Sequence, residues 1–489
     1  MGVVVQERGV KGNFQNLDEF NLELYPFDSD VLSMEISPAF KVMIYHGISK
    51  KKVAPIPSIS VYLALCKVKS CVPQECFVEE DFTCLFDVAK ALMKIQSLYG
   101  IIPNVYGKGE AAKHVFELMT RLRREQVGQE CQMQTPQIHS LILLDRTVDL
   151  MTPLVTQLTY EGLLDEIYGI DNNIIKLPPE KFVTTGDNTA AVSTETKILN
   201  SAEELYSQLR DLNFSQAGGF INRKMKQLSS QFKERHEATT VQEMKQFVNK
   251  LPRMQDAKKS LATHTSIAEL VNEVTVKEEF HSHLEAEHNF IQGIDTDKVS
   301  TYIEDMIAQE EPFIKGGVQV LRLICIQSLA NNGLKPKVLE HYRREILQVY
   351  GYQHLLFLTN LERCGLLRPA GPGRVFSTFR STLRLYVEEV GPVDMASVCS
   401  GYAPLSVRLV QFLHSPGWRA IADVLAMLPG PTIEEVQTST PTSGTHHRRN
   451  SSVSSTGHGD EQKVALVFFI GGCTFSEISA LRFLSQQED

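Results

Sequence analysis

Two aspartates four residues apart, Asp145 and Asp149, follow the apolar run Leu141-Ile142-Leu143-Leu144. Carboxylates at such a point could hold a divalent cation or activate a water, because acidic oxygens are the hard ligands such ions take. Neither belongs to a His, Cys or further carboxylate cluster with ligand spacing, and acidic residues ahead of a helix serve equally as its cap or as partners of a nearby arginine. Earlier in the chain, Gly107-Lys108-Gly109-Glu110 sets flexible glycines around a cation, as a phosphate loop does. A nucleotide loop, however, needs GxxxxGK followed by Ser or Thr, and the sequence here is YGKGEAAK, which also suits an ordinary helix start with an acidic first turn. Cys66, Cys71, Cys76 and Cys84 lie close together, but their spacing fits no zinc pattern and no His pair completes a site. There is no GxSxG elbow and no Cys/His nucleophile signature. The expectation is a protein that is not an enzyme and has no cofactor or resident metal. The alternative is an ATP-binding or metal-dependent hydrolytic enzyme built on Gly107 to Glu110 or on Asp145 and Asp149.

The elements that must position these residues are legible. The run Leu141 to Leu144 suits a strand covered on both faces, and the sequence continues through an acidic turn into the helical pattern TYEGLLDEIYGI. FDVAKALMKIQSLYG and GEAAKHVFELMTRLRREQ also have helical periodicity, so the first part of the chain is α/β material. From Asn200 to about Gln348 the pattern is almost wholly helical. After Ala396 strand character returns with VALVFFIGG, followed by a helix with Thr474 as N-cap and Glu477 three residues on. The fold class expected is α/β plus all-α: a discontinuous parallel-sheet α/β domain, with halves 17–168 and 396–489, around an inserted helical domain, 169–395. Thr438 to Asp460 has almost no apolar residues and reads as a mobile surface loop, with RRNSS as a possible phosphorylation site.

With 489 residues, 43% of them hydrophobic and 22% charged, the composition is that of an ordinary soluble protein of two or three domains. A formal net charge of −9 with scattered basic residues argues against nucleic acid as a partner. Nine cysteines, an odd number without a CxxC pair, read as reduced thiols in the cytosol. The N-terminus has no signal core, and no apolar run approaches the ~20 residues that span a bilayer. Gln6 and Glu7 spoil a myristoylation signal after Met1-Gly2. Membrane association is therefore expected only through partners.

Five segments, namely Ile138 to Ile170, LYPFDSDVLSME, LNSAEELYSQLRD, SGYAPLSVRL and FFIGGCTFSEISALRFLSQ, together resemble the SM family of syntaxin-binding proteins. The resemblance implies an arch of three domains that binds SNARE helices and promotes their assembly. It also implies membership of the HOPS and CORVET tethering complexes, beside a companion subunit, and a cytoplasmic protein peripheral on late endosome and lysosome membranes. Against the family pattern, residues 1–16 are only a remnant of the first α/β domain, which in the family walls one side of the SNARE cleft. The chain also stops before the last strand and helix expected of the sheet domain. Residues 41–74 carry three prolines and no clear period. They read as a translated intron bordered by Lys41-Val42 and Gln74, or as a lineage-specific loop.

Two segments look suited to binding. Pro252 interrupts a strong helical pattern, which gives two helices meeting at a tip with an exposed Met254 flanked by Lys245, Arg253, Lys258 and Lys259. An apolar groove rimmed by cations suits an amphipathic helix with an acidic face. The resemblance assigns Phe247, Leu251, Pro252, Met254 and Gln255 to SNARE contact, while Phe247 and Leu251 would serve equally as hairpin core. In the second segment Tyr350, Tyr352 and Leu355 follow a basic turn at Arg343 and Arg344, and aromatics beside arginine anchor many interfaces. The resemblance makes this the dock of the companion tethering subunit, through Arg343, Tyr352 and Leu355. The alternative is a plain helix break at Gly351 with both tyrosines buried.

Overall fold

The computed structural model describes residues 23–24, 33–35, 40–46, 82–125, 135–171, 173–179, 195–201, 203–237, 241–294, 296–309, 318–371, 375–387, 391, 394–437 and 464–487. In chain order come β1 (Glu23–Leu24), β2 (Ser33–Glu35), β3 (Phe40–His46), α1 (Thr83–Tyr99), β4 (Asn104–Lys108), α2 (Glu110–Glu125) and β5 (Ser140–Asp145). Next are α3 (Tyr160–Ile167) and the short strands β6 (Ile170–Asp171), β7 (Ile174–Leu177) and β8 (Glu195–Ile198). A helical run follows: α4 (Glu204–Leu209), α5 (Phe214–Glu237), α6 (Val241–Thr275), α7 (Glu278–Gln292), α8 (Thr296–Ala308), α9 (Val318–Ala330), α10 (Pro336–Tyr350), α11 (Leu355–Arg363) and α12 (Val375–Thr382). The last elements are α13 (Leu405–His414), α14 (Ala422–Met427), β9 (Thr432–Val436), β10 (Val464–Ile470) and α15 (Phe475–Gln487).

One sheet has the order β1-β2-β3-β10-β5-β4-β9. Strand β10 lies parallel to β5, pairing Leu466 with Leu141 and Phe468 with Leu143, so the two ends of the chain build one sheet around the helical run, as expected. Leu141, Leu143, Leu466, Val467 and Phe468 have no exposed surface at all, which is why these strands read as unbroken apolar runs rather than alternating ones. Each such side chain contributes about 1.5–3 kcal/mol on burial. Helix α2 turns Ala111, Ala112, Val115 and Met119 inward at helical spacing and contacts β4 and β5, with the pairs Lys113–Glu117 and Arg121–Glu125 on its outside. The expected helix start at α15 is present as a capping box. Thr474 Oγ1 accepts from the Glu477 N–H at 3.2 Å, and Glu477 Oε2 accepts from the Thr474 N–H at 2.7 Å.

The sheet is parallel at its centre and antiparallel at its flanks. Strands β10, β5 and β4 run together, while β3 and β9 flank them antiparallel. Strand β9 starts at the C-terminal end of β4, where the Gly109 N–H bonds the Pro431 carbonyl and Thr432 pairs with Lys108. A strand entering there can only run back along its neighbour. A second, three-stranded antiparallel sheet, β6-β7-β8, precedes the helices. Its first turn has Asn173 at φ 62°, a left-handed conformation that asparagine tolerates.

A correction concerns Pro252. Helix α6 runs without interruption through it for 35 residues, so the two helices of the hairpin are α5, ending at Glu237, and α6, beginning at Val241, rather than two helices that meet at Pro252. Proline removes one N–H and crowds the carbonyl four residues back, that of Val248, at a cost of about 3 kcal/mol in a free helix. Just beyond it, Arg253 bonds Glu204, and Ser260 and His264 bond Glu203, which tethers α6 to the body of the protein. Residues 47–81 and 438–460 lie outside the described residues, as do Cys66, Cys71 and Cys76, while Cys84 is buried.

Candidate functional site

The residues with the most chemical character at the strand ends are consumed by structure. Asp145 is buried, and its carboxylate accepts from the Ala111 N–H and the Thr147 N–H, both at 2.9 Å. It therefore supplies the anion at the start of α2 that a phosphate would have supplied. Gly109 adopts φ 109° against it, and a Cβ there would sit 2.2 Å from the Asp145 Cβ. The Lys108 ammonium donates to the Gly430 carbonyl, and burial pulls its pKa down. Asp149 accepts from the Thr152 N–H at 3.0 Å, the Thr152 hydroxyl at 2.6 Å and the Ser406 N–H at 3.0 Å. Arg146 reaches both Glu477 oxygens at 2.9 Å and the Asp149 carbonyl through Nε at 2.9 Å. Burial disfavours the Arg146 charge, but Glu477 and then Asp149 outweigh it and raise its pKa. This closed network ties β5 to the starts of α13 and α15. Among the described residues no group of three or more His, Cys, Asp or Glu could hold a metal ion. Burial pushes the Cys325 and Cys399 thiols up to about 12, which leaves both unreactive.

The hairpin of α5 and α6 is anchored at one end. His264, fully buried, meets the Tyr160 hydroxyl through Nδ1 at 3.0 Å and Glu203 through Nε2 at 3.1 Å, and stacks on the Tyr206 ring. Ser260 also donates to Glu203. Burial works against the Glu203 charge, but hydrogen bonds from His264 and Ser260 prevail and lower its pKa. Nearer the tip Arg253 pairs with Glu204 at 2.7 Å in full solvent. Of the residues expected to contact a helix, Pro252 and Gln255 are exposed and Leu251 is half-buried. Met254 is only 6% exposed, contrary to expectation, because it falls on the face of α6 shared with Leu261 and His264 that turns inward. Phe247 lies on α6, with its side chain outside the described ones.

At the base of the hairpin is a groove of about 790 Å³ that the sequence did not suggest. Ile221 and Met225 of α5, Ala268 and Val276 at α6, and Phe280 and Leu284 of α7 line it. Gly218 opens its floor, since a Cβ there would meet nothing within 4 Å. The available signal was the pair Gly218-Gly219 inside a helical pattern, a combination that costs helix stability unless the space is used.

The second surface is clearer. Helix α10 ends at Gly351 with φ 96°, whose N–H bonds the Leu347 carbonyl, and a single 3-10 turn, Tyr352–His354, leads into α11. Tyr352 is 78% exposed and Leu356 70%, with Leu355 and Phe357 exposed beside them. Tyr350 is half-buried, so the two tyrosines are not a joint core. Arg343 faces Glu362 at 3.5 Å, bracing α10 against α11. Four large apolar side chains within six positions are exposed, a concentration of the kind that marks interaction sites. Leu356 and Phe357 escaped the sequence reading because a short apolar run beside a glycine looks the same whether buried or exposed.

Comparison with known proteins adds to this geometry. The Sec1 family profile matches residues 5–489. Vacuolar protein sorting-associated protein 33A of Rattus norvegicus is 49% identical over 494 residues, covering 99% of this chain and 75% of that relative. The protein of the same name from Drosophila melanogaster is 38% identical, covering 98% of this chain and 75% of its own. A vacuolar protein-sorting-associated protein 33 homolog of Arabidopsis thaliana is 33% identical, covering 97% and 73%. A solved structure of the SM protein Vps45 in complex with the Qa SNARE Tlg2 has 16% identity and a TM-score of 0.49, covering 71% of this chain and 59% of that one.

Proposed function

Because this chain belongs to the Sec1 family, we propose that it acts in vesicle-mediated transport to the lysosome as an SM-type subunit of the HOPS and CORVET tethering complexes. It binds SNARE helices and promotes their assembly. The activity is binding, not bond chemistry. Aligning two helices on one rigid surface raises their effective concentration and excludes wrong partners. The SNARE contact is assigned to the α5–α6 hairpin, through Leu251, Pro252 and Gln255 with Phe247, and with Met254 supporting from within. The companion tethering subunit is assigned to the patch around Arg343, Tyr352 and Leu355, which recruits the chain to late endosome and lysosome membranes from the cytoplasm. No helix among the described residues is long and apolar enough to cross a membrane.

The observation that supports this reading is the exposed apolar cluster Tyr352, Leu355, Leu356 and Phe357, of the kind that marks interaction sites. Co-expression with the companion subunit, followed by size exclusion, tests it. The wild-type chain is expected to co-elute with that subunit, and Tyr352→Asp to elute alone and still folded. Co-elution of both, or of neither, would refute the assignment.

A further inference from the structure

Charge is segregated along the hairpin. Residues 214–260 contain ten basic and four acidic side chains, whereas residues 261–290 contain one lysine and six carboxylates. On α6 beyond the groove Lys250, Lys258 and Lys259 are exposed beside Asp256, and at the base Glu269, Glu278 and Glu279 are exposed beside Lys277, while Arg223 and Lys226 of α5 flank the groove-lining Asn222 and Met225. The buried Glu287 of the base is answered internally by Arg322 and the Thr156 N–H, so the outward field there comes from the exposed carboxylates.

The groove and the outer residues are one surface. Leu251, Gln255, Lys258, Ala262, Thr265, Glu269, Asn272 and Val276 recur at spacings of three and four and so share one face of α6. Thr265, Glu269, Asn272 and Val276 line the groove, opposite Gly218, Asn222 and Met225 of α5. The face continues outward to Lys258, Gln255 and Leu251, a track of roughly 38 Å at the helical rise. Its apolar part is at the acidic end and its exposed lysine is further out.

We infer that this track receives an amphipathic helix of complementary charge polarity, acidic at the end over Lys258 and basic at the end over Glu269, with its apolar stripe against Met225, Val276 and Phe280. The inference rests on the reading of the hairpin as a helix receptor and adds the direction in which a helix lies. A uniformly acidic helix meets repulsion at the groove, and a uniformly basic one meets it near the tip. A helix of the right composition laid the wrong way meets like charges at both ends. The segregation therefore rejects misaligned helices by repulsion while attracting the aligned one.

Three fluorescent synthetic helices with the same leucine stripe test this: one acidic in one half and basic in the other, one uniformly acidic and one uniformly basic. Each is titrated against the full chain by anisotropy at low and at physiological salt. The two-signed helix is expected to bind tightest and to weaken about fivefold with either Lys258→Glu or Glu269→Lys, both surface changes. Gly218→Gln, which fills the groove floor, is expected to weaken it further. Equal binding of the three helices, or indifference to both reversals, overturns the inference. A natural SNARE motif in the same assay separates this inference from the receptor reading. A SNARE bound without response to either reversal refutes the polarity alone. A SNARE that does not bind, beside a two-signed helix that binds with the expected charge response, refutes the SNARE reading alone.

Discussion

Arg146 is held by Glu477 and Asp149 in a space with almost no solvent, and Asp149 in turn fixes the Ser406 N–H at the start of α13. Deleting the guanidinium strands two carboxylates without a counter-charge, which costs far more than the pair itself is worth. Arg146→Met should destabilise the chain by about 3–5 kcal/mol in chemical denaturation, whereas Lys113→Ala, which breaks an exposed pair, should change it by less than about 1 kcal/mol. Glu287 sets a pH dependence. Burial works to raise its pKa, but Arg322, His283 and the Thr156 N–H outweigh burial and hold it below its usual 4.5. A depressed carboxylate contributes stability that is complete above the unfolded pKa and is lost as pH falls through the native one. Denaturation midpoints should therefore be flat near neutrality and fall below about pH 4.5, with a shallower fall in Glu287→Gln. An equal slope in the variant would assign the acid sensitivity elsewhere.

At the scale of elements, Pro252 is the instructive case. A proline inside a helical pattern signals a break in a free segment, yet α6 passes through it, and just beyond it buried His264, with Ser260, bonds Glu203 while Arg253 pairs with Glu204 at the surface. Those partners are some fifty to sixty residues away in sequence, so no local pattern could reveal them. Pro252→Ala should restore one backbone hydrogen bond and raise the melting temperature with unchanged helicity by circular dichroism, a gain of up to about 3 kcal/mol. A loss of stability would instead mean that proline shapes a bend. Other elements were legible for a physical reason. Strands β5 and β10 are buried on both faces and so carry unbroken apolar runs, Leu141 to Leu144 and Val464 to Ile470, and α15 carries its own cap in Thr474 and Glu477. The roles of Asp145 and Lys108 were not legible. What decides them is a contact with Ala111 and another with Gly430, and sequence spacing does not encode either.

At the scale of the whole molecule, the exposed patch proposed for binding is separated from the network that holds the sheet. The Tyr352 patch lies beyond the end of α10, while Arg146, Asp149 and Glu477 lock the sheet to the last helix. A Tyr352→Asp chain should therefore keep the wild-type denaturation midpoint within about 0.5 kcal/mol, as surface changes away from a buried network do. A large loss would show that the patch is part of the core. The family resemblance read from a few segments extends over nearly the whole chain, and two of those segments hold the central strands β5 and β10. The groove was missed because its walls come from three helices and only its glycine floor leaves a mark in sequence.

The position of β10 also bears on how the chain is made. Its register sets Ala465 beside Ser140 on one side and Tyr45 on the other. Both neighbours leave the ribosome long before it does. At synthesis rates of about 5–20 residues per second, the slot between β3 and β5 stays open for roughly 15–65 s, long enough for the two to pair with each other or with a neighbouring polysome's nascent chain. The centre of the sheet can therefore close only after β10 has emerged and entered between β3 and β5.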